Sequence, residues 1–145
     1  MKMPIMKTKE KTASELLREG TGFLEAQGIG SPRREAELLL CALLFCRRID
    51  LYMEPDRPVS FQDETIFREH LTRRVGREPI QYITGEVTFC GLSLSVRPGV
   101  FIPRPETELI VERASLIEPS PRRILDLCTG SGALAIALAK QFPQS

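Results

Sequence analysis

The feature that most restricts the fold of this chain is the segment Arg123–Leu138. A short apolar run leads to the carboxylate of Asp126, a turn of small residues follows, and an alanine- and leucine-rich stretch begins after Gly132. This pattern predicts a strand, a turn and a helix. Glycines let a ligand approach the backbone, and a helix begins with unpaired N–H groups, although glycine pairs also occur in turns that bind nothing. We therefore expect a small ligand at this turn.

The segments around this turn predict the start of an α/β sheet. A helix is predicted from two acidic residues near Thr107 to about residue 117, and the last helix from Ala133 to about Gln141. The order helix, strand, helix is typical of α/β folds. A parallel strand needs neighbours along its edges, and no second strand follows before Ser145. We therefore expect the truncated start of a longer domain.

The N-terminal half predicts a compact helical bundle. Thr12 and Glu15 have the spacing of a capping box, which predicts a helix over 13–27. Ser31 followed by Pro32 predicts an N-cap and the start of a second helix. A short third helix is predicted over 47–53, and a fourth from Ser60 to Gly76. Isolated helices of this length are marginal in water, so their apolar faces must pack together.

A β-rich region follows Pro79. The residues favour strands at 82–84 and 87–89, then a turn at Cys90 and Gly91, then an alternating strand at 92–96. This pattern predicts a hairpin that links two domains. The predicted organisation is a disordered tail at 1–11, a helical domain at 12–78, a β-hairpin linker at 79–97 and the start of an α/β domain at 98–145.

Composition excludes several classes of function. Apolar residues make up 42% and charged residues 27% of the 145 residues, and no run approaches the ~18 apolar residues of a membrane span. Four irregularly spaced cysteines with one histidine favour reduced thiols in a cytoplasmic protein over a metal site. The net charge of +1 argues against strong nucleic-acid binding. The run from Arg68 to Arg77 is either a solvated helix face or an RNA or partner contact.

The turn after Asp126 also distinguishes between two cofactors. Gly130, Gly132 and Ala135 fit a dinucleotide fingerprint. Three residues separate Asp126 from Gly130, however, and a carboxylate there would repel a pyrophosphate. S-adenosylmethionine carries a sulfonium and a zwitterionic methionine part, so an acid at the strand end favours it.

Four stretches closely resemble successive signatures of one protein family. They are Arg77–Gly85, Phe89–Leu92, Ile102–Glu108 and Asp126–Gly132. The resemblance is to the protein-glutamine N5-methyltransferases that modify bacterial peptide chain release factors, the HemK/PrmC family. It covers the chain from about residue 12, and the stretch 102–108 is its most specific part.

The resemblance implies a helical domain that helps engage the release factor, a hairpin linker and a Rossmann-like domain that binds S-adenosylmethionine. The implied reaction transfers a methyl group to the glutamine of the release factor's Gly-Gly-Gln motif. Seven residues match the family's cofactor segments: Phe101, Pro103, Arg104, Asp126, Thr129, Gly130 and Gly132. Cys128 occupies the first glycine position of the general methyltransferase pattern. We expect from this that position 128 avoids a positive φ.

One absence restricts the chemistry of this polypeptide. An amide nitrogen is a poor nucleophile that must be positioned and polarised, and the resembling family does this with Asn-Pro-Pro-Tyr. The chain contains no asparagine, so we assign no catalytic residue and expect it to be inactive alone. Two alternatives stay open: a module that docks a release factor or the ribosome without catalysis, and a methyltransferase of another acceptor, such as a ribosomal-protein glutamine.

Overall fold

The structure, a computed structural model, describes residues 10–145. It forms two units, the first ending at Thr84 and the second beginning at Gly85. Most of the predicted N-terminal tail, residues 1–9, lies outside the described residues. Within 10–145, no helix has both the length and the hydropathy needed to cross a membrane.

Five helices make up the described part of the first unit. Their bounds are α1 Ala13–Ala26, α2 Pro32–Leu44, α3 Arg48–Met53, α4 Phe61–Val75 and α5 Ile80–Thr84. The predicted capping box begins α1: the Thr12 hydroxyl accepts from the Glu15 N–H, and the Glu15 carboxylate accepts from the Thr12 N–H at 2.8 Å. Ser60 likewise caps α4 by accepting from the Asp63 N–H at 3.1 Å. These local signals were sufficient to place the helix starts.

The start of α2 differs from the prediction. Ser31 has a left-handed backbone, with φ 54°, and its hydroxyl makes no capping hydrogen bond. A capping side chain reaches the first N–H groups from an extended backbone, so the left-handed conformation explains the missing bond. Pro32 still begins the helix, since its missing N–H and fixed φ suit the first helical position.

The segment 82–84 was predicted as a strand, and this prediction is wrong. Ile80–Thr84 form α5, and the N–H groups of Tyr82 and Ile83 donate to the Pro79 carbonyl at 3.0 and 3.2 Å. Ile83 is buried in the core of the helical unit, with 6% of its surface exposed. A helical turn after Pro79 permits this burial, which outweighs the β-propensity of the side chains.

The helices of the first unit enclose one apolar core. Its buried members come from all five helices and from the segments between them: Ala13, Leu16, Leu17, Leu24, Ile29, Ala36, Leu39, Leu40, Leu51, Val59, Phe67, Leu71 and Ile83. α1 and α4 approach closely at Gly20, where an added Cβ would lie 2.8 Å from the Phe67 ring. The glycine therefore allows the Phe67 ring to fill the space between the two helices.

The second unit begins with the predicted hairpin. β1 (Glu86–Phe89) pairs antiparallel with β2 (Leu92–Ser95), so that Phe89 lies opposite Leu92. Cys90 and Gly91 have φ values of 47° and 70°. Two consecutive positive φ values define a type I′ turn, whose twist matches that of the strands.

Two helices complete the second unit. A 3₁₀ turn at Pro105–Thr107 leads into α6 (Glu108–Ala114), and α7 spans Ala133–Gln141 as predicted. Phe89 of the hairpin shares a small core with residues of α6 and α7 and with the residue after α7: Val111, Ala133, Ala137, Leu138 and Phe142. The hairpin and the two helices are thus packed around a common centre.

The strand predicted before the glycine turn is absent. Residues 123–127 form no strand, and in the part of the chain described the sheet consists of β1 and β2. A strand exists only when its backbone groups pair with a neighbour, and none lies beside these residues in the described part. The mixed helical fold with a small antiparallel hairpin is therefore shown, whereas the expected Rossmann-like start is not confirmed.

Candidate functional site

The glycine turn is built from three left-handed residues at alternate positions. Cys128, Gly130 and Gly132 have φ values of 60°, 58° and 75°. The expectation that position 128 avoids a positive φ is therefore wrong. Because an L-residue in this conformation costs about 1–2 kcal/mol, Cys128 holds a strained backbone at the site where the general methyltransferase pattern has glycine.

The turn presents a short polar cluster next to an open helix start. The Thr129 hydroxyl donates to the Asp126 carboxylate at 2.8 Å, and the Gly132 N–H donates to the Thr129 carbonyl at 2.9 Å. Gly132 precedes α7 and provides no side-chain cap. The first N–H groups of α7 are consequently available to an anionic group such as a carboxylate.

This arrangement fits S-adenosylmethionine. A Cβ on Gly130 would come no closer than 3.9 Å to a neighbouring atom, so the backbone there is open to close approach. Asp126 is half-buried beside the turn. The helix start suits the carboxylate of the methionine part, and the acid suits a hydroxyl or an ammonium group.

The remaining predicted residues lie in the segment between the hairpin and α6. The Phe101 ring is 64% exposed, and the Arg104 guanidinium lies over it at 5.6 Å from the ring centre. This is the range of a cation–π contact. Pro103 lies between them in sequence and is half-buried. The structure therefore groups Phe101 with Arg104, and Asp126 with Thr129 and the two glycines.

One contact in this region was not predicted from the sequence. The Glu108 carboxylate accepts a hydrogen bond from the Cys90 N–H at 3.1 Å, across 18 residues of sequence. Burial raises the pKa of the Cys90 thiol, and the Glu108 charge adds to this shift. Two sequence features were available to predict this contact: an acidic residue at the start of a helix, and a tight turn whose N–H group is left without a partner in the hairpin.

The basic run of the helical unit is not a free cationic surface. Arg68 pairs with Glu19 and Glu64, each at 2.8 Å. Two further arginines form two-pronged pairs with carboxylates: Arg73 with Glu78 at 2.6 and 2.8 Å, and Arg74 with Glu35 at 2.5 and 3.1 Å. These pairs neutralise most of the run within the unit, which disfavours an RNA contact there.

A buried carboxylate joins α2 to α3. Glu37 is 1% exposed and accepts from Arg48 Nε at 2.8 Å, from Arg33 Nε at 3.2 Å and from the Tyr52 hydroxyl. Burial alone would raise the pKa of Glu37, but the hydrogen bonds from Tyr52 and Arg48 outweigh it and lower the pKa below its ordinary value. Glu37 is thus an ionised structural group.

Comparison with known families agrees with the helical first unit. Residues 15–85 match the family described as the PrmC N-terminal domain. This match spans α1 to α5 and defines the chain as a protein that carries this helical domain.

Curated relatives extend the likeness into the second unit. Proteins named release factor glutamine methyltransferase are 44% identical over 86% of this chain in Geobacter sulfurreducens and 42% over 92% in Nitratidesulfovibrio vulgaris. A protein of the same name from Thermodesulfovibrio yellowstonii is 45% identical over 77%. The chain thus carries the domain described as the PrmC N-terminal domain and is similar over most of its length to proteins named release factor glutamine methyltransferase.

The matches cover only part of each relative. They span 44%, 46% and 41% of the three relatives, respectively. The chain therefore corresponds to less than half of the length of the proteins that carry this name.

Proposed function

We propose that this chain contributes the release-factor-binding domain and one wall of the cofactor site to S-adenosylmethionine-dependent methylation of a glutamine. The acceptor is the glutamine of the Gly-Gly-Gln motif in a peptide chain release factor. The observation that carries the proposal is the turn after Asp126, which has a left-handed backbone and precedes an uncapped helix start. The relatives of the chain that are named release factor glutamine methyltransferase support the same reaction. The four free cysteines support a location in the reducing cytoplasm.

The residues of the chain have distinct roles in this proposal. Asp126, Thr129, Gly130 and Gly132 hold S-adenosylmethionine, which supplies the methyl group when bound. Phe101, Pro103 and Arg104 line the side of the site where cofactor and substrate meet. The exposed Phe101 ring offers an apolar surface that excludes water from an amide side chain.

The 145 residues contain no asparagine that could polarise the acceptor amide in the way the Asn-Pro-Pro-Tyr motif does. Methyl transfer requires hydrogen bonds that are stronger in the transition state than in the ground state, and the sequence contains no asparagine for this purpose. We therefore propose that the chain alone binds the cofactor weakly and does not catalyse methyl transfer.

A docking module without catalysis is the second candidate. It is favoured by the helical unit, which encloses its own core and pairs Arg73 and Arg74 with carboxylates of the same unit. A methyltransferase acting on a ribosomal-protein glutamine is a further candidate, since the glycine turn itself does not identify the acceptor.

Two binding measurements and one activity assay separate these candidates. Calorimetric titration with S-adenosylmethionine is expected to give a Kd well above about 100 μM, and micromolar binding would contradict the weak-binding part. Pull-down of a purified release factor by this chain, but not of a ribosomal protein, is the expected result for docking. Transfer of a labelled methyl group to the release factor by the chain alone would refute the proposed inactivity.

A further inference from the structure

The hydrogen bond between Glu108 and Cys90 connects two separate parts of the second unit. Glu108 is the first residue of α6, and Cys90 is the first residue of the hairpin turn. A type I′ turn directs backbone groups outward, and a half-buried N–H without a partner would cost free energy. The carboxylate satisfies this N–H at 3.1 Å.

The position of this bond matters because of the segment that it closes. Residues 97–107 leave one end of the hairpin, where the buried Val96 donates its N–H to Gly85 at 2.9 Å, and return to the helix start. Glu108 attaches that helix start to the opposite end of the hairpin. Both ends of the segment that carries Phe101 and Arg104 are therefore held by one short hairpin.

Packing beside the bond supports the same conclusion. Phe89, next to Cys90, is 1% exposed and belongs to the same core as Val111, which follows Glu108 by one helical turn. The apolar contact keeps α6 near the hairpin without specifying its rotation or its register, because apolar contacts lack direction. The hydrogen bond is directional and specifies where α6 begins.

We infer that Glu108 is a positioning residue that sets the geometry of the Phe101–Arg104 segment by holding the start of α6 against the hairpin turn. The inference rests on the proposed cofactor site, because it gives Phe101 and Arg104 a ligand to meet. It assigns Glu108 to the support of that site and not to the ligand itself.

The test compares three variants of the ¹⁵N-labelled chain by NMR. Glu108→Ala removes the acceptor, Glu108→Gln keeps an acceptor oxygen without the charge, and Glu112→Ala removes an exposed carboxylate one turn further along α6. The Cys90 amide is expected to exchange at least about tenfold faster in Glu108→Ala, to recover most of its protection in Glu108→Gln and to be unchanged in Glu112→Ala.

Titration with S-adenosylmethionine then separates positioning from general stability. In the wild-type chain, the amides of Phe101 and Arg104 and those of Thr129 to Gly132 are both expected to shift. Glu108→Ala is expected to lose the shifts at Phe101 and Arg104 while keeping those at the glycine turn, and Glu108→Gln is expected to restore them. Loss of both sets in Glu108→Ala, or retention of both, would overturn the inference.

A wrong assignment of the cofactor site would give a different NMR result from a wrong role for Glu108. If the wild-type chain showed no shift at either segment, the cofactor assignment would fail. Unchanged free-state shifts of Phe101 and Arg104, together with unchanged Cys90 exchange in Glu108→Ala, would by themselves overturn the role of Glu108.

Discussion

The helical unit and the second unit differ in how many of their apolar side chains are buried. In the described residues, the helical unit encloses a cluster of 13 buried apolar residues and the second unit a cluster of six. Leu125 and Leu127, beside the glycine turn, are 80% and 75% exposed. Hydrophobic stabilisation is therefore concentrated in the helical unit, whereas the second unit surrounds its candidate site with apolar surface.

Backbone strain does not follow this contrast. Non-glycine residues in the left-handed region occur in both units: Ser31, Phe45 and Arg77 in the helical unit, and Cys90 and Cys128 in the second unit. In the second unit, Cys90 lies in the turn between β1 and β2, and Cys128 lies in the turn of the candidate site.

Two leucine-to-alanine substitutions, one in each unit, give the strongest test of this difference in burial. Leu39 of α2 is fully buried at 0% exposure. Leu39→Ala is expected to lower the free energy of unfolding by about 2–5 kcal/mol, because it leaves a cavity. Leu125→Ala is expected to change it by less than about 0.5 kcal/mol. Urea unfolding followed by circular dichroism measures both, and a large loss for Leu125→Ala would show that this side chain is buried in solution.

The buried carboxylate tests whether charges also stabilise the helical unit. Glu37→Gln is expected to lower the free energy of unfolding by about 1–3 kcal/mol at neutral pH, because Arg48 and Tyr52 lose a charged acceptor. The exposed Glu25→Gln is the matched control and is expected to have little effect.

The pH dependence of this difference has a defined sign. The pKa of Glu37 is lower in the folded than in the unfolded chain, so its contribution is complete above the ordinary value of about 4.3 and disappears as the pH falls through the folded pKa. Urea unfolding of the wild-type chain and of Glu37→Gln over a range of acidic pH values measures this pH dependence. A difference that grew as the pH fell would contradict the assignment.

Two glycines in α1 test how tightly the helical unit is packed, because each can be given a single methyl group by substitution with alanine. Gly20→Ala is expected to destabilise the helical unit by about 1–3 kcal/mol, because its Cβ would lie 2.8 Å from Phe67. Gly22→Ala adds a Cβ with no atom within 4 Å and is expected to stabilise the helix by up to about 1 kcal/mol. Thermal unfolding of the two variants should therefore shift in opposite directions, and a shift in the same direction would exclude the close approach of α1 and α4.

The smallest expected effect is in the second unit. Cys128→Gly removes left-handed strain of about 1–2 kcal/mol, and the entropy that glycine loses on folding offsets about 0.5–1 kcal/mol of it. The net gain in stability should be below about 1 kcal/mol. Thermal unfolding monitored by NMR signals of the second unit measures it, and a loss of stability would contradict the left-handed backbone at this position.

Much of the fold was predictable because its signals are local. The capping box at Thr12, the proline at position 32 and the turn at Cys90 and Gly91 each act within a few residues, and the structure has helix or hairpin boundaries at all three. The strand predicted over 82–84 failed because burial of Ile83 required a helical turn. The strand predicted before Asp126 failed because pairing depends on a neighbouring strand, which a local pattern does not reveal.

The candidate site was predictable in part for the same reason. The glycine turn and the Phe101–Arg104 segment could be identified because each is contiguous in sequence. The hydrogen bond from Cys90 to Glu108 could not, since it joins residues 18 apart whose proximity depends on the packing of Phe89 against Val111. The pairing of Arg74 with Glu35 and that of Glu37 with Arg48 were hidden in the same way, because each joins residues of two different helices.

The sequence by itself determined where most of the helices and the hairpin begin, which turn offers an open backbone, and which family the chain resembles; α5 was the exception. It could do so because capping, turn formation and motif spacing are properties of neighbouring residues. The tertiary structure decided which carboxylates are buried or paired, that Cys128 holds a left-handed backbone, and that Glu108 holds the hairpin turn. These outcomes depend on contacts between residues distant in sequence, and such contacts exist only after the elements have packed.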